Sequence, residues 1–491
     1  MKRKLAIILC ALIAGSSVLS LGGCGSAGSP DISENPAPAV GSTFGDIYGD
    51  PDNTDSHIEQ TPDNPSGRER YDEICERVRP AINAFSAELF KREFSKNENG
   101  ENTLISPLSV YTALAMVSNG ADTQTKSEII DILSGYFNYD TGVVCYADHE
   151  PLEADDMNMY FKGYMNMLND GDVIDTKLSM ANSFWAIQND DVVFNTNFYS
   201  DCQNYYNAEI FEAALNSETV KKINGWVSEK TDGMIDGIVD DSITDTDLVA
   251  ALLNAIAFDG KWLEPYDDIS NREFSNYDGA KTETEFMSSV EDRYIDDGYA
   301  TGFIKDYSGN GFIQYHDLGD GSSTEGGAVE NEDPRYCFVA LMPNEDVGID
   351  EYISEHFTDR TISDAVENAS YGDVYAKLPK FSFDCYYNLN ESLQELGMVS
   401  AFDHDAADFS KLAVSERGNN ISISDVLHST HIEVDENGTK AAAVTAILME
   451  EDSIEVATCY YVTLDRPFLF AIYDYDEQTP VFIGTVMTEN D

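Results

Sequence analysis

The hydrophobic positions of this chain divide it into three stretches with different patterns. An apolar run at residues 5–21 follows a basic start at residues 1–4. Residues 25–70 are rich in Pro, Gly, Ser, Asp and Asn and show scarcely any apolar periodicity, so they cannot bury enough surface to fold. Periodic apolar positions begin at residue 71 and continue to the end. The pattern predicts a targeting segment, a tether and a folded part.

The folded part changes character along its length. Residues 74–94 place apolar side chains three and four apart, which predicts an amphipathic helix. Helical patterns dominate to about residue 180, and strand-like runs such as residues 337–343 and 468–474 follow. Helices first and long strands later indicate an α+β fold, although the length of 491 residues alone favours two to four domains. The polar residues 319–334 predict a surface insertion.

The N-terminal run ends in a motif that explains its purpose. Residues 5–21 are diluted by Ser and Gly and short for a membrane span, which needs about 20 apolar residues. The run closes with Leu21-Gly22-Gly23-Cys24, which resembles the cleavage box of bacterial lipoproteins. We therefore predict a signal peptide at 1–23, a lipid on Cys24 and a disordered tether at 24–70. The alternative is an ordinary secretory signal with a chance cysteine.

Charge and cysteine content limit the kinds of partner, metal site and disulfide that we expect for the chain. The formal net charge of -61 repels nucleic acid and anionic surfaces, and its main effect is solubility. The six cysteines after Cys24 show no CxxC pair and no metal-ligand spacing with His. Scattered core thiols are favoured over disulfides, although export permits bridges. These cysteines are Cys75, Cys145, Cys202, Cys337, Cys385 and Cys459.

The sequence offers no recognisable catalytic chemistry. It contains no GxSxG elbow, HExxH motif, Walker loop or EF-hand loop. Seven histidines are scattered without triad or ligand spacing. Carboxylate pairs carry no information in a chain with 90 Asp and Glu. We predict no metal, no cofactor and no enzymatic activity, so an enzyme or solute-binding lipoprotein is a remote alternative.

Several segments, in order, resemble the signature regions of the serpin family. They begin with NTLISPLSVYTALAMVSNGADTQTKSEI from Asn102 and include INGWVSEKTDGMIDGIV, LVAALLNAIAFDGKWLEPYD, LPKFSFDCYYNLNESLQELGM and DVLHSTHIEVDENGTKAAAVTA. The closing strands of the family resemble DRPFLFAIYD and VFIGTV. The resemblance runs from about residue 71 to residue 491. It implies one α+β domain of three β-sheets and eight or nine helices, with an exposed reactive loop near the C-terminus, and replaces the expectation of several domains.

The resemblance also implies an inhibitory mechanism. A serpin loop is offered as substrate and, after acylation, inserts into the main sheet with the trapped protease attached. An inserted strand excludes Pro and places alternate side chains in the core, and no Pro occurs between Gly438 and Tyr461. The charged Lys440, where an acidic residue is commoner, falls on the opposite face from the small ones. The implied hinge comprises Glu436, Gly438, Thr439, Ala441, Ala442, Ala443 and Thr445. Gly438 is expected to act as its pivot, since glycine tolerates unusual φ values.

The resemblance implies structural roles for two further groups of residues. Ser106, Ser109, Asn254 and His428 resemble the shutter, a polar cluster beneath the point where the main sheet opens. Such groups can exchange hydrogen bonds as strands part, which costs less than leaving them unpaired. Trp262 and Glu436 resemble the breach, at the top of the same sheet.

The position of the cleaved bond follows from family spacing, which places it about sixteen residues after the hinge glutamate. Counting from Glu436 gives Asp452, with Ser453 after the cut. An acidic residue suits a protease with a basic specificity pocket and disfavours trypsin-like enzymes. The loop is slightly long, so cleavage after Glu450 or Glu451 stays open. Cleavage after Met449 by a subtilisin-like or chymotrypsin-like enzyme is the main competitor.

The function predicted from the sequence is therefore protease inhibition. We predict a monomer that is held outside the cell by the lipid on Cys24 and traps a serine protease covalently. A non-inhibitory serpin that serves as a binding module is one alternative, against which the small hinge residues count. Inhibition of a cysteine protease is another.

Overall fold

The computed structural model of the chain describes residues 5–14, 67–97, 99–138, 143–145, 151–169, 176–235, 237–309, 334–418, 420–439 and 458–489. Within these residues the order of helices and strands is that of an α+β fold, as the sequence predicts. The first long helix begins at Gly67, four residues before the predicted start of the folded part. The predicted surface insertion lies almost wholly outside the described residues.

The described residues contain nine α-helices, and most of them precede the long strands. α2 is apolar and wholly buried because it runs through the interior; Ser106 caps its N-terminus and Pro107 opens its first turn. The helices are α1 (Gly67–Ser95), α2 (Pro107–Ser118), α3 (Thr123–Leu133), α4 (Ala154–Asn169), α5 (Thr196–Tyr206), α6 (Ser217–Lys230), α7 (Ile349–Glu351), α8 (Thr361–Glu367) and α9 (Asn390–Leu396). Among them, none is long and apolar enough to cross a bilayer.

Strands account for most of the second half of the described chain. The first ten are β1 (Leu5–Ala14), β2 (Thr103–Ile105), β3 (Tyr136–Asn138), β4 (Val143–Cys145), β5 (Thr176–Ile187), β6 (Val192–Phe194), β7 (Glu209–Ala213), β8 (Leu248–Lys261), β9 (Asp268–Ser275) and β10 (Lys281–Asp296). The next ten are β11 (Ala300–Asp306), β12 (Tyr336–Pro343), β13 (Ser370–Pro379), β14 (Phe381–Asn388), β15 (Ala413–Ser415), β16 (Ile421–Val434), β17 (Gly438–Thr439), β18 (Cys459–Thr463), β19 (Phe468–Asp474) and β20 (Thr479–Val486).

The first large sheet has seven strands in the order β14-β16-β1-β8-β5-β7, with β17 paired to the end of β8. β1 lies between β16 and β8 and is parallel to both. It belongs to the segment predicted to be a signal peptide, and the removal of that segment stays a prediction. The placement shows that an extra strand fits between β8 and β16. We call this position the slot.

The second large sheet has nine strands in the order β18-β13-β10-β11-β12-β19-β20-β2, with β9 paired to β10. β10 is 16 residues long, so its first half pairs with β9 and its last residues pair with β11. The three sheets implied by the resemblance are therefore present as two large ones, because this long strand joins two of them. Two small two-stranded sheets, β15-β6 and β3-β4, complete the described part.

The core lies on both faces of the seven-stranded sheet. The main cluster packs the long helices against one face and includes Leu252, Ile256 and Phe258 of β8. A smaller cluster lies on the opposite face, under α6, and includes Leu253 and Ala255. The side chains of β8 alternate between the two clusters, as a strand buried on both faces requires.

The cysteines agree with the expectation of unbridged core thiols. Among the described side chains Cys75, Cys202 and Cys337 are free and buried, Cys385 is free and half-buried, and Cys459 is exposed. Burial raises the pKa of Cys75 to about 11, so this thiol stays protonated and unreactive at neutral pH.

Candidate functional site

The slot begins where the chain leaves β16 and turns back on itself. After Val434 the chain makes a short turn, and β17 then pairs antiparallel with the end of β8. Gly438 lies opposite Lys261, and Thr439 lies opposite Gly260. The first two residues of the predicted loop therefore already occupy the top of the slot, running in the opposite direction to β8 and β16.

The turn before β17 is held by one carboxylate. Asp435 Oδ1 accepts hydrogen bonds from the backbone N–H groups of Asn437 and Gly438, at 2.7 and 3.2 Å. The N–H of Asp435 donates to the carbonyl of Gly438 at 3.0 Å. These bonds fix the direction in which the loop departs.

The structure gives Gly438 a different physical reason to be glycine from the one expected for a pivot. Its φ is not in the left-handed region. A Cβ at this position would lie 2.1 Å from the carbonyl oxygen of Gly260, which is far inside van der Waals contact. Position 438 needs glycine because the two backbones approach closely here, and a side chain would push β17 away from β8.

Trp262 closes the top of the slot. The side chain is buried, and its Nε1–H donates to the carbonyl of Asp435 at 2.9 Å. The backbone N–H of Trp262 donates to the backbone carbonyl of Asn437 at 2.9 Å. The backbone N–H of Tyr266 donates to the backbone carbonyl of Glu436 at 2.8 Å. The structure thus brings together Trp262 and Glu436, the two residues predicted to form the breach.

Three further residues, Tyr307, Lys305 and Glu291, lie around Trp262 and the start of the loop, and the sequence did not single them out. The Tyr307 ring stacks on Trp262 with centroids 4.5 Å apart, and its hydroxyl is hydrogen-bonded to Thr439 Oγ1 at 2.7 Å. The buried Lys305 Nζ lies 4.3 Å from the Tyr266 ring centroid and 2.8 Å from Glu291 Oε1. These residues lie on or near β10 and β11, so only the pairing of distant strands reveals their role.

Glu436 is bound by a cation at the link between the two large sheets, where Lys380 lies between β13 and β14. Lys380 Nζ lies 2.8 Å from Glu436 Oε2 and 2.9 Å from Glu285 Oε2. The hydrogen bond from Lys380 lowers the pKa of Glu436 below its ordinary value. Burial alone would lower the pKa of Lys380, but the bonds to Glu436 and Glu285 outweigh it and raise that pKa. Both groups are therefore charged at neutral pH, and the pair ties the hinge to the nine-stranded sheet.

The predicted shutter residues also meet beneath the slot. His428 on β16 is fully buried, and its Nε2 accepts a hydrogen bond from the backbone N–H of Ser106 at 3.1 Å. Ser106 Oγ accepts from the N–H of Ser109 at 3.3 Å. The start of α2 is thereby attached to β16, on one side of the slot.

The other side of the slot is attached through β8. Ser109 Oγ donates to Asn254 Oδ1, and Asn254 Nδ2 donates to Asn182 Oδ1 on β5 at 2.8 Å. Asn182 Nδ2 in turn donates to the carbonyl of Tyr206 at 2.8 Å. All these side chains are buried, so each bond prevents the cost of an unpaired polar group. Asn182 was missed, and its only signal is a polar residue in an apolar strand-like run.

The remaining predicted positions lie outside the described residues. They are Ala441, Ala442, Ala443, Thr445, Asp452 and Ser453 in the loop, and Cys24 near the N-terminus. The structure therefore places the ends of the loop, at Thr439 and Thr458, and the machinery around the first end.

Comparison with known proteins follows this geometry. The family model described as Serpin (serine protease inhibitor) matches residues 80–489. A curated protein of Methanosarcina acetivorans, described as an uncharacterized serpin-like protein, is 29% identical over 425 residues, which cover 85% of this chain and 86% of the relative. Human Serpin B8 is 29% identical over 84% of this chain and 98% of its own length.

Solved structures agree in fold. The native state of the thermophilic serpin tengpin is 38% identical, with a TM-score of 0.69 over 84% of this chain and 94% of that one. The latent state of tengpin aligns with a TM-score of 0.66. Human thyroxine-binding globulin, in complex with its ligand, is 23% identical with a TM-score of 0.67 and supports the fold alone.

Proposed function

The chain belongs to the serpin family, and on that premise we propose that it inhibits a protease by inserting its cleaved loop into the slot between β8 and β16. Serpins are generally protease inhibitors rather than enzymes, but some do not inhibit. The observation that carries the proposal is β17, because two loop residues already pair with β8 in the orientation that insertion requires.

The pairing of β17 with β8 predicts which β8 residue each further loop residue would face if the loop inserted. Each further residue of the loop moves one residue back along β8, so Lys440 would lie opposite Asp259 and Thr445 opposite Asn254. Alternate residues would then face the main core on the same side as Thr439, which is buried. These residues are Ala441, Ala443, Thr445, Ile447 and Met449, and all are uncharged. The sequence thus meets the demand of a strand buried on this face.

The same register explains the unusual Lys440. On insertion its side chain would lie on the opposite face, directly across from Asp259. Cross-strand pairs of opposite charge stabilise a sheet by roughly 0.2–1 kcal/mol. The departure from the family pattern is then compatible with insertion, since the charge meets a partner instead of the core.

The extrapolated strand also supports the predicted cleavage site. β8 begins at Leu248, which would face Glu451, so Asp452 is the first loop residue beyond the sheet. A cut after Asp452 releases enough chain to fill the slot along the whole of β8. A cut after Met449 would leave the last positions of β8 unpaired. We therefore propose Asp452–Ser453 as the scissile bond and a protease with a basic pocket as the target.

The location of this activity is also a proposal. A lipid on Cys24 and the tether at 24–70 would hold the inhibitor outside the cell, near its own envelope. The strongly acidic chain would remain soluble there and monomeric.

The test is a panel of active proteases incubated with the chain from Gly25 onward. The panel comprises a Glu/Asp-specific, a subtilisin-like, a chymotrypsin-like and a trypsin-like serine protease. A denaturant-resistant complex on a gel, with release of a peptide that begins at Ser453, is the expected result for the first enzyme. The variant Asp452→Met should transfer the complex to the chymotrypsin-like enzyme, whereas Asp405→Met, at an exposed position away from the loop, should change nothing.

Different outcomes separate the parts of the proposal. A complex with a cut elsewhere keeps the mechanism and moves the cleavage site. Cleavage by every protease without any complex overturns inhibition and leaves a non-inhibitory serpin that acts as a binding module.

A further inference from the structure

An exposed group of aromatic side chains lies where the loop rejoins the fold. Tyr371 and Tyr461 are 77% and 78% exposed, Val290 is 53% exposed and Tyr375 is 41% exposed. We call these four residues the tyrosine surface. They lie on β10, β13 and β18, at one edge of the nine-stranded sheet. Large apolar or aromatic groups left in water at adjacent positions mark an interaction site more often than isolated ones do.

The strand registers place these side chains side by side. Val290 pairs with Tyr375, and Tyr375 pairs with Tyr461, so three of them form one row across three strands. On β13, Val374 and Ala376 are buried, so Tyr375 projects to the opposite, solvent-facing side. Tyr371 is exposed on the same strand, beyond an irregularity in the pairing of β13 with β10.

Ring stacking holds this row of side chains in place in the unbound protein. The Tyr375 and Tyr461 rings stack with centroids 5.1 Å apart and an interplanar angle of 14°. Beneath them, Tyr460 stacks on Tyr294 at 4.1 Å and 7°, which anchors β18 to β10. A preorganised aromatic surface loses little entropy on binding, and Tyr is enriched among the residues that dominate interface energetics.

The loop's second end is attached beside this surface. The N–H of Asp373 donates to the carbonyl of Thr458 at 3.0 Å. Tyr371 lies two residues before Asp373, and Tyr375 lies two residues after it. Asp452 precedes Cys459, the first residue of β18, by seven positions, which at full extension span at most about 25 Å. A protein contact of ordinary size covers about 800 Å² per partner, roughly 30 Å across.

We propose that the tyrosine surface is a docking site for the target protease, which contacts it beside its active-site cleft while the uncleaved loop is bound. This inference rests on the proposed function. Any enzyme that holds the bond after Asp452 must lie within reach of these residues, on the side that follows the cut. None of the four side chains is charged in a chain of net charge -61, so the contact would add selection for an apolar protease surface to the selection by charge at Asp452.

The site acts only before insertion. Once the loop enters the slot, the attached protease moves away from β18, while the segment after the cut stays with the sheet. The tyrosine surface therefore sets how fast the first complex forms, and it leaves unchanged the fraction of encounters that end in trapping.

The experiment compares Tyr371→Ser/Tyr461→Ser with the unaltered chain from Gly25 onward. These side chains are so exposed that their loss leaves folding intact. The matched control is Tyr386→Ser, which removes a 60% exposed tyrosine from β14 on the other large sheet. The first readout is the dissociation constant of a Glu/Asp-specific protease and of a subtilisin, each inactivated by replacing its nucleophilic serine with alanine. The second readout is the rate constant of inhibition by the active enzymes.

The expected result is at least tenfold weaker binding of one protease to the double variant and an equal loss in its rate of inhibition. The number of inhibitor molecules consumed per protease trapped stays unchanged, and the control differs by less than twofold. Equal binding by all three proteins overturns the docking site, and so does an absence of measurable binding to the unaltered chain. Failure of inhibition itself is recognised separately, since the inactive proteases bind without any covalent step.

Discussion

The two large sheets are built for opposite tasks. β12 and β20 of the nine-stranded sheet are buried along their whole length, and the Phe338 and Phe470 rings stack there at 5.6 Å. In the seven-stranded sheet the slot between β8 and β16 lies over buried polar groups, among them Asn254 and His428. Apolar contacts lose free energy as soon as they separate, whereas hydrogen-bonding groups can exchange partners. The comparison favours the seven-stranded sheet as the one that opens under the proposed mechanism, and the nine-stranded sheet as the one that holds the fold.

The largest expected effect comes from blocking the slot at its entrance. Thr439→Arg places a charge beside Tyr307, where the Thr439 side chain is buried. We expect the loop to be cleaved without insertion, so that the number of inhibitor molecules consumed per trapped protease rises at least tenfold in a gel titration. Thr284→Arg, a half-buried threonine on β10, is the control. Efficient trapping by Thr439→Arg would contradict the assignment of β17 as the start of insertion.

A cavity in the holding sheet should act on stability alone. Phe470→Ala removes a fully buried ring and is expected to lower the free energy of unfolding by about 3–5 kcal/mol. Urea unfolding measures the loss, and Phe470→Leu should cost less. The protein that remains folded should trap protease with unchanged stoichiometry. A change in that stoichiometry would show that the two sheets are not separate in function.

A buried carboxyl just after β20 makes the stability of the protein depend on pH. Burial raises the pKa of Glu489 to about 8, and its Oε1 has no hydrogen-bond partner among the described residues. Between pH 4.5 and 8 the unfolded chain has lost a proton that the folded chain retains, so the free energy of unfolding falls as pH rises and levels off above 8. Glu489→Gln should remove this fall and stabilise the protein by a few kcal/mol at pH 9. Chemical unfolding at pH 5 and pH 9 measures it, and equal pH slopes in both proteins would refute it.

Weakening the shutter should loosen the sheet that opens. Asn254→Ala removes the bonds to Ser109 and Asn182 and is expected to cost about 1–3 kcal/mol. Because these bonds lie beneath the slot, activity should also be lost faster on incubation at elevated temperature. Asn158→Ala, which removes a partner of Tyr206 in the same network away from the slot, should lower stability without that faster loss. Identical inactivation rates for the two variants would argue against a special role for Asn254.

The smallest effect concerns the ion pair between the sheets. Lys380→Ala leaves Glu436 without its cation, and for a partly exposed pair the cost is about 0.2–1 kcal/mol. The pKa of folded Glu436 is lowered, so the stabilisation is present above its ordinary pKa of 4.5 and disappears as pH falls through the lowered value. Thermal unfolding at low and high salt should show a loss that shrinks at high salt. A loss that does not depend on salt would indicate packing by the lysine stem.

The sequence reveals site residues that are close together along the chain better than residues that only strand pairing brings together. Gly438 and Thr439 follow the chain directly from Glu436, so one motif reveals them together. Lys305 and Tyr307 reach the same place only through the pairing of β11 with β12 and the bridge from Trp262 to Tyr307. No periodicity in the sequence encodes that register, so these residues could not be found without the structure.

The fold class followed from the order of apolar patterns, but the division into sheets did not. β10 runs without a break over the 16 residues from Lys281 to Asp296. Its continuity joins two expected sheets, and only backbone pairing decides this. The reason for glycine at 438 is hidden in the same way, since it depends on the carbonyl of Gly260 across the slot.

The strand formed by residues 5–14 bears on when the loop could enter the slot. Ala14 already pairs with Ala257, the residue that Ala442 would face if the loop continued along β8. A newly made chain that keeps this segment can admit the loop no further than Ala441. Under the proposed mechanism such a precursor would be cut by proteases without trapping them, and removal of the predicted signal peptide would open the path. Synthesis of the chain and its activation as an inhibitor would then be separate steps.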